Sequence, residues 1–176
     1  MLKKETKQDI LQSLENVKKE ICLIEQRIRE EIEMESDIQQ FNSIFKGKTA
    51  IIGNYDRFSS EETKKILQLF GMNVEVVKTG IEILDKIKSK CNYDVIFTNH
   101  IYQVGFNGEE LLKELRKIKD FNTPVIIHTI DTNMRNHYVN NLGFDEYIAK
   151  PIWFKDMDKI TEIKEILNKF FNQKEL

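Results

Sequence analysis

Asp94-Val-Ile-Phe-Thr-Asn99 and Pro124-Val-Ile-Ile-His-Thr129 are two short apolar runs, and between them lies Gly108 to Lys119. That segment carries Leu111, Leu112, Leu115 and Ile118 on one helical face. A run of apolar residues without alternation reads as a strand buried on both sides. Two such strands joined by an amphipathic helix make a parallel β-α-β unit. Working outward, the unit repeats. Thr49-Ala-Ile-Ile-Gly53 and Val74-Glu-Val-Val77 are strands before it, and Glu146-Tyr-Ile-Ala149 is a strand after it. Ser59-Ser-Glu-Glu62 reads as a capping box opening a helix that stops at Gly71. Thr79-Gly-Ile-Glu82 reads as another, with its helix reaching about Lys90. A shorter helix is expected over residues 132–142, ended by Gly143, and a last one over 155–171. The expected class is α/β: a flavodoxin-like, doubly wound, five-stranded parallel sheet.

The first 46 residues have a different period. No Pro or Gly occurs before Gly47. Ile10, Leu14, Val17, Ile21, Ile24 and Ile28 recur at steps of four and three, which is a heptad seam. The pattern fails at Glu31 and Glu35 and returns at Ile38 and Phe45. A helix over about 3–45 would be roughly 60 Å long and could not bury its stripe alone. Two readings are open, a helix packed on its own chain and a homodimeric coiled coil; the second is the sharper expectation. The expected division is therefore 1–46, a long helix, and 47–176, an α/β domain.

Composition narrows the function. The net charge is −2, with ten acidic and seven basic side chains in residues 1–45 and near balance beyond. This is not the basic excess of a nucleic-acid binder. No apolar run has the length of a membrane span or the form of a signal peptide. Cys22 and Cys91 belong to no ligand cluster, and the default is two reduced thiols in a cytoplasmic protein. His100, His128 and His137 suggest no shared metal site, and no phosphate-cradling glycine loop is present. The first 45 residues contain no histidine, so the helix is not read as a phosphotransfer domain.

In a doubly wound fold, ligands bind at the carboxyl ends of the strands. Here those ends carry Asn54, Tyr55 and Asp56 after the first strand, Asn99 at the third, Thr129 at the fourth and Lys150-Pro151 at the fifth. Gly143-Phe-Asp-Glu-Tyr-Ile-Ala-Lys-Pro151, Tyr93-Asp94 before an apolar strand, and Asn107-Gly-Glu-Glu-Leu-Leu112 opening a helix resemble the response regulator receiver (CheY-like) domain family. The intervals agree as well: 44 residues from Tyr55 to Asn99, 30 to Thr129, and 21 to Lys150. The resemblance implies that Asn54 and Tyr55 stand at the acidic, metal-binding pair and Asn99 at the phosphorylated aspartate. It also implies that Thr129, Tyr147 and Lys150 stand at the switch positions. An amide is a very poor nucleophile and forms no acyl phosphate. Two amides and a phenol replace the carboxylates that Mg²⁺ prefers. The expectation is a degenerate pseudo-receiver without metal or cofactor and without enzymatic activity. It would act as an interaction and dimerisation module in bacterial two-component (phosphorelay) signalling, with a histidine kinase or similar protein as partner. Lys150 is expected to bond the Asn99 oxygen or to pair with Asp56. Two alternatives stand beside this: a phosphorylation-competent regulator with a rearranged acceptor such as Asp56, and a small-molecule sensor using the strand-end pocket. The loop 100–107 carries apolar Tyr102, Val104 and Phe106, read either as a partner contact or as a cover for the site. Trp153 and Phe154 are read either as packing or as an aromatic addition to the dimerising face that receivers form from their fourth and fifth helices and fifth strand.

Overall fold

A computed structural model of the chain describes residues 4–172, with side chains from Thr6 onward. The expected helix start at residue 3 and the last expected domain residues, 173–176, lie outside the described residues. Packing divides the chain into two units, residues 1–41 and 42–176.

The first unit is one α-helix, α1 (Lys4–Gln39). The six seam residues lie on it, each between 50% and 54% exposed. Leu11, Leu23 and Ile32 beside them are exposed too. A helix this long forms on the propensity of its Glu, Lys, Gln and Leu residues, with its stripe left half-exposed.

The helix ends before Phe45, which corrects the expected extent of 3–45. Residues 43–47 instead run along the end of the first helix of the second unit. Ser43 N donates to Leu69 O at 2.9 Å, Phe45 N to Phe70 O at 2.7 Å and Gly47 N to Gly71 O at 3.3 Å. The Phe45 ring meets Phe70 and Phe171 edge-on at 5.6 and 5.1 Å. Burying a large aromatic outweighs continuing a heptad pattern that Glu31 and Glu35 already interrupt.

The second unit contains β1 (Thr49–Gly53), α2 (Arg57–Leu69), β2 (Asn73–Val77), α3 (Gly80–Lys88), β3 (Val95–Thr98) and α4 (Gly108–Arg116). After these come β4 (Val125–Thr129), a π-helical turn (Asn136–Asn141), β5 (Glu146–Ala149) and α5 (Met157–Phe171). All five strands are parallel in the order β2-β1-β3-β4-β5. This is the flavodoxin-like sheet that the apolar runs announce. Ile51, Ile96, Val125 and Ile127 form one core with Ile83, Leu111, Leu115 and Phe144. Alternate positions on the strands, Ala50, Ile52, Phe97 and Ile126, are equally buried, so both faces are covered.

Two local readings change. The cap of α2 is Asp56, whose Oδ1 accepts from Ser59 N at 2.7 Å. The Ser59–Glu62 capping box does not form, because Glu62 points elsewhere: it accepts from Phe154 N at 2.9 Å and from Lys65. The expected helix over 132–142 is a single wide turn, Asn136–Asn141, closed by Gly143 at φ 85°.

Candidate functional site

The registers Gly53↔Thr98 and Thr129↔Ala149 bring the carboxyl ends of β1, β3, β4 and β5 to one edge. The chain reverses its winding between β1 and β3, so a crevice opens there. The cleft measures about 450 Å³. Tyr55, Asp56, Asn99, Thr129 and Lys150 all line it. Asn54 and Tyr147 do not line it.

Asn99 sits at its floor, 8% exposed. Its Nδ2 donates to Ile101 O at 2.8 Å, and its Oδ1 accepts from His100 N at 3.1 Å and from Lys150 Nζ at 3.4 Å. The Lys150 contact is the first of the two expected partners; the Asp56 carboxylate serves as the α2 cap. Burial pushes the Lys150 ammonium below its usual range, and the negative charge of Asp56 opposes this only in part. The close fit of α4 helps hold Asn99. A Cβ on Gly108 would lie 2.4 Å from the Asn99 carbonyl oxygen, so only glycine allows the approach.

Asn54 is buried. Its Oδ1 accepts from Asp56 N at 3.1 Å, and its Nδ2 has no partner among the described residues. Tyr55 is 42% exposed at the rim.

The side of the cleft above β4 is organised by Asp131, which the sequence reading did not single out. Thr129 Oγ1 donates to its carboxylate at 3.2 Å, and Tyr138 Oη donates to it at 2.5 Å. Tyr147 is buried, with its hydroxyl donating to the Asp131 carbonyl. Its ring stacks on Tyr138 at 5.8 Å. The bond from Tyr138 holds the Asp131 carboxyl below its usual range. Burial, then the same bond, pushes the Tyr138 phenol up to about 12. Thr129 and Tyr147, two of the three expected switch residues, are thus tied through Asp131. The third, Lys150, is tied to Asn99. The only sequence signal for Asp131 was its place two residues past Thr129, where a side chain can fold back on the strand end.

The loop after β3 divides its apolar residues. Tyr102 turns inward, 8% exposed, with its hydroxyl donating to Gly53 O at 3.0 Å and lying 2.7 Å from Thr98 Oγ1. It packs against the ends of β1 and β3 and does not line the cleft. Val104 is 69% exposed. Trp153 packs at the surface, the first of its two readings. It stands on the lip of the cleft, edge-on to Phe58 at 5.4 Å. Phe58 carries no sequence signal of its own, because the apparent capping box starts one residue beyond it, at Ser59.

A family model for the response regulator receiver domain matches residues 54–173. No curated protein matches the chain. Among solved structures, the receiver domain of the Francisella response regulator 1452 is 26% identical. It covers 70% of this chain and 98% of that one, at a TM-score of 0.56. The response regulator TrrA of Thermotoga maritima, solved with Mg²⁺ and BeF, is 27% identical over 68% and 98%, at 0.55. The receiver domain of the Pseudomonas aeruginosa sensor histidine kinase PA1611, solved with magnesium in its cleft, is 20% identical over 72% and 98%, at 0.61; at that identity the likeness is one of fold.

Proposed function

We propose, for a chain that belongs to the response regulator receiver domain family, a receiver that takes part in signalling without accepting phosphate. The coarse role, a receiver domain of two-component signalling, is the family's. The finer reading is a pseudo-receiver that binds a signalling protein, such as a histidine kinase, in a bacterial cytoplasm. The observation that carries it is Asn99. At the end of β3, where acyl phosphate chemistry needs a carboxylate, stands a buried amide whose oxygen is already bonded to His100 N and Lys150.

The metal that the family uses does not suit these residues. Mg²⁺ wants an octahedron of hard oxygens with at least one or two carboxylates. The Asn54 oxygen accepts from Asp56 N, and Asp56, the one carboxylate at these three positions, caps α2 through Oδ1. No group of three or more His, Cys, Asp or Glu side chains able to hold a metal occurs among the described residues.

Self-association belongs to the same reading. The α1 seam leaves six half-exposed aliphatic residues at heptad spacing. A second copy of α1 would bury them as knobs in holes. In this proposal α1, within the segment 1–46, is the dimerising arm, and 47–176 is the partner-binding domain.

The test is intact mass after incubation of the full chain with acetyl phosphate and Mg²⁺. The expected result is no phosphate increment. An increment that disappears in Asp56→Ala would overturn the reading in favour of a rearranged acceptor.

A further inference from the structure

A spent phosphoryl site needs no hydrophobic walls, yet this cleft has them. Phe58 and Ile101 are 60% and 61% exposed, Ile130 75% and Trp153 47%, and all four line the same opening. Large apolar side chains gathered around one concavity mark a binding site far more often than scattered ones do. Beneath them stands a cation with no carboxylate in contact with it among the described residues, the Asp56 charge acting on it only from a distance. The Lys150 ammonium has only the neutral Asn99 oxygen at 3.4 Å, and no carboxylate lies within 4.0 Å of it among the described residues. Of the two carboxylates that line the cleft, Asp56 caps α2 through Oδ1 and Asp131 accepts from Tyr138 and Thr129.

We propose that this cleft binds a small, flat, apolar molecule carrying a single carboxylate, with its ring against Phe58 and Trp153 and its carboxylate on the Lys150 ammonium. The charges select this class. A neutral ring would leave the half-buried Lys150 with only the more distant Asp56 charge to offset its own. A dianion such as a phosphate monoester would meet Asp56 and Asp131 at the walls. A monoanion satisfies the lysine and adds the least repulsion. The volume of about 450 Å³ suits a molecule of one or two fused rings. The proposal rests on the reading that Asn99 takes no phosphate, since an acyl phosphate there would claim Lys150.

Trp153 is the chain's only tryptophan, so its indole N–H resonance reports on the cleft alone. The full-length ¹⁵N-labelled chain is titrated with 2-naphthoate, 2-naphthalenemethanol and 2-naphthyl phosphate. The expected result is a saturable indole shift with 2-naphthoate below about 1 mM, with the alcohol and the phosphate at least about tenfold weaker. Lys150→Gln should reduce naphthoate to the level of the alcohol, Lys150→Arg should retain most of the binding, and Phe58→Ala should weaken naphthoate and alcohol alike. Equal binding of naphthoate and alcohol, tighter binding of the phosphate, or no saturation by naphthoate overturns the proposal. So does full naphthoate binding by Lys150→Gln. Should that variant lose its fold, the naphthoate-to-alcohol ratio of the unaltered chain decides. The acetyl phosphate experiment is read separately by mass, so a phosphorylated chain and a cleft that ignores carboxylates are distinct failures.

Discussion

Single residues here carry constraints that only their neighbours reveal. Gly53 closes β1 under the inserted Tyr102. A Cβ on it would lie 2.3 Å from the Tyr102 hydroxyl oxygen and 2.5 Å from Ile83 Cδ1. Gly53→Ala should therefore cost about 1–3 kcal/mol by overpacking, measured by urea denaturation. Combined with Tyr102→Phe, the loss should be less than the sum of the two, because they share one contact. His128 is the second case. Its side chain is buried in β4, and its Nε2 has no partner among the described residues. Burial, and then the charges of Lys150 and Lys159, hold it well below the usual histidine value of 6.5. The unfolded chain binds that proton near pH 6.5, while the folded chain does not. Stability should therefore fall as pH drops below 6.5, by up to about 1.4 kcal/mol per unit. Above that window the group contributes no slope. Thermal unfolding at pH 7.5, 6 and 5 should show this decline, and His128→Leu should lack it.

Among the elements, α1 and α2 show how far periodicity reaches. The α1 seam is visible in spacing alone, and the helix carries it as expected. What occupies the opposite side of that seam is a matter of association, and light scattering decides it. Ile21→Asp with Ile24→Asp should leave the chain monomeric, since two charges in a dry seam are costly. A variant that stays associated would place the contact elsewhere. The α2 start is ambiguous in the sequence because Ser59-Ser-Glu-Glu62 and Asp56 both satisfy the rule for a cap. Glu62 settles the competition by turning to Phe154 N, a residue 92 positions away. No local rule contains that contact. Asp56→Ala should cost about 0.5–2 kcal/mol, seen as a lower unfolding midpoint.

For the whole molecule, the division of the chain matters most at Phe45. A fragment starting at residue 42 keeps the Ser43, Phe45 and Gly47 backbone bonds to the end of α2 and the Phe45 ring among Phe70 and Phe171. A fragment starting at residue 47 loses the ring. It should be less stable than the longer one by about 2–4 kcal/mol, judging from the truncation of buried aromatics, when both are unfolded in urea. Both should be monomeric if α1 is the dimerising arm.

The order of apolar runs and amphipathic segments determined the parallel sheet, because burial on both faces forces that composition on each strand. The spacing of Asn99, Thr129 and Lys150 placed them together at the strand ends, because strand lengths and short connections leave little freedom. Tertiary structure alone decided what those residues touch. The Asp131 tie to Thr129, Tyr138 and Tyr147, the inward turn of Tyr102, and the meeting of Phe58 with Trp153 join residues of different strands, helices and loops. Loop backbones follow no period, so their side chains take direction from packing against distant parts of the chain.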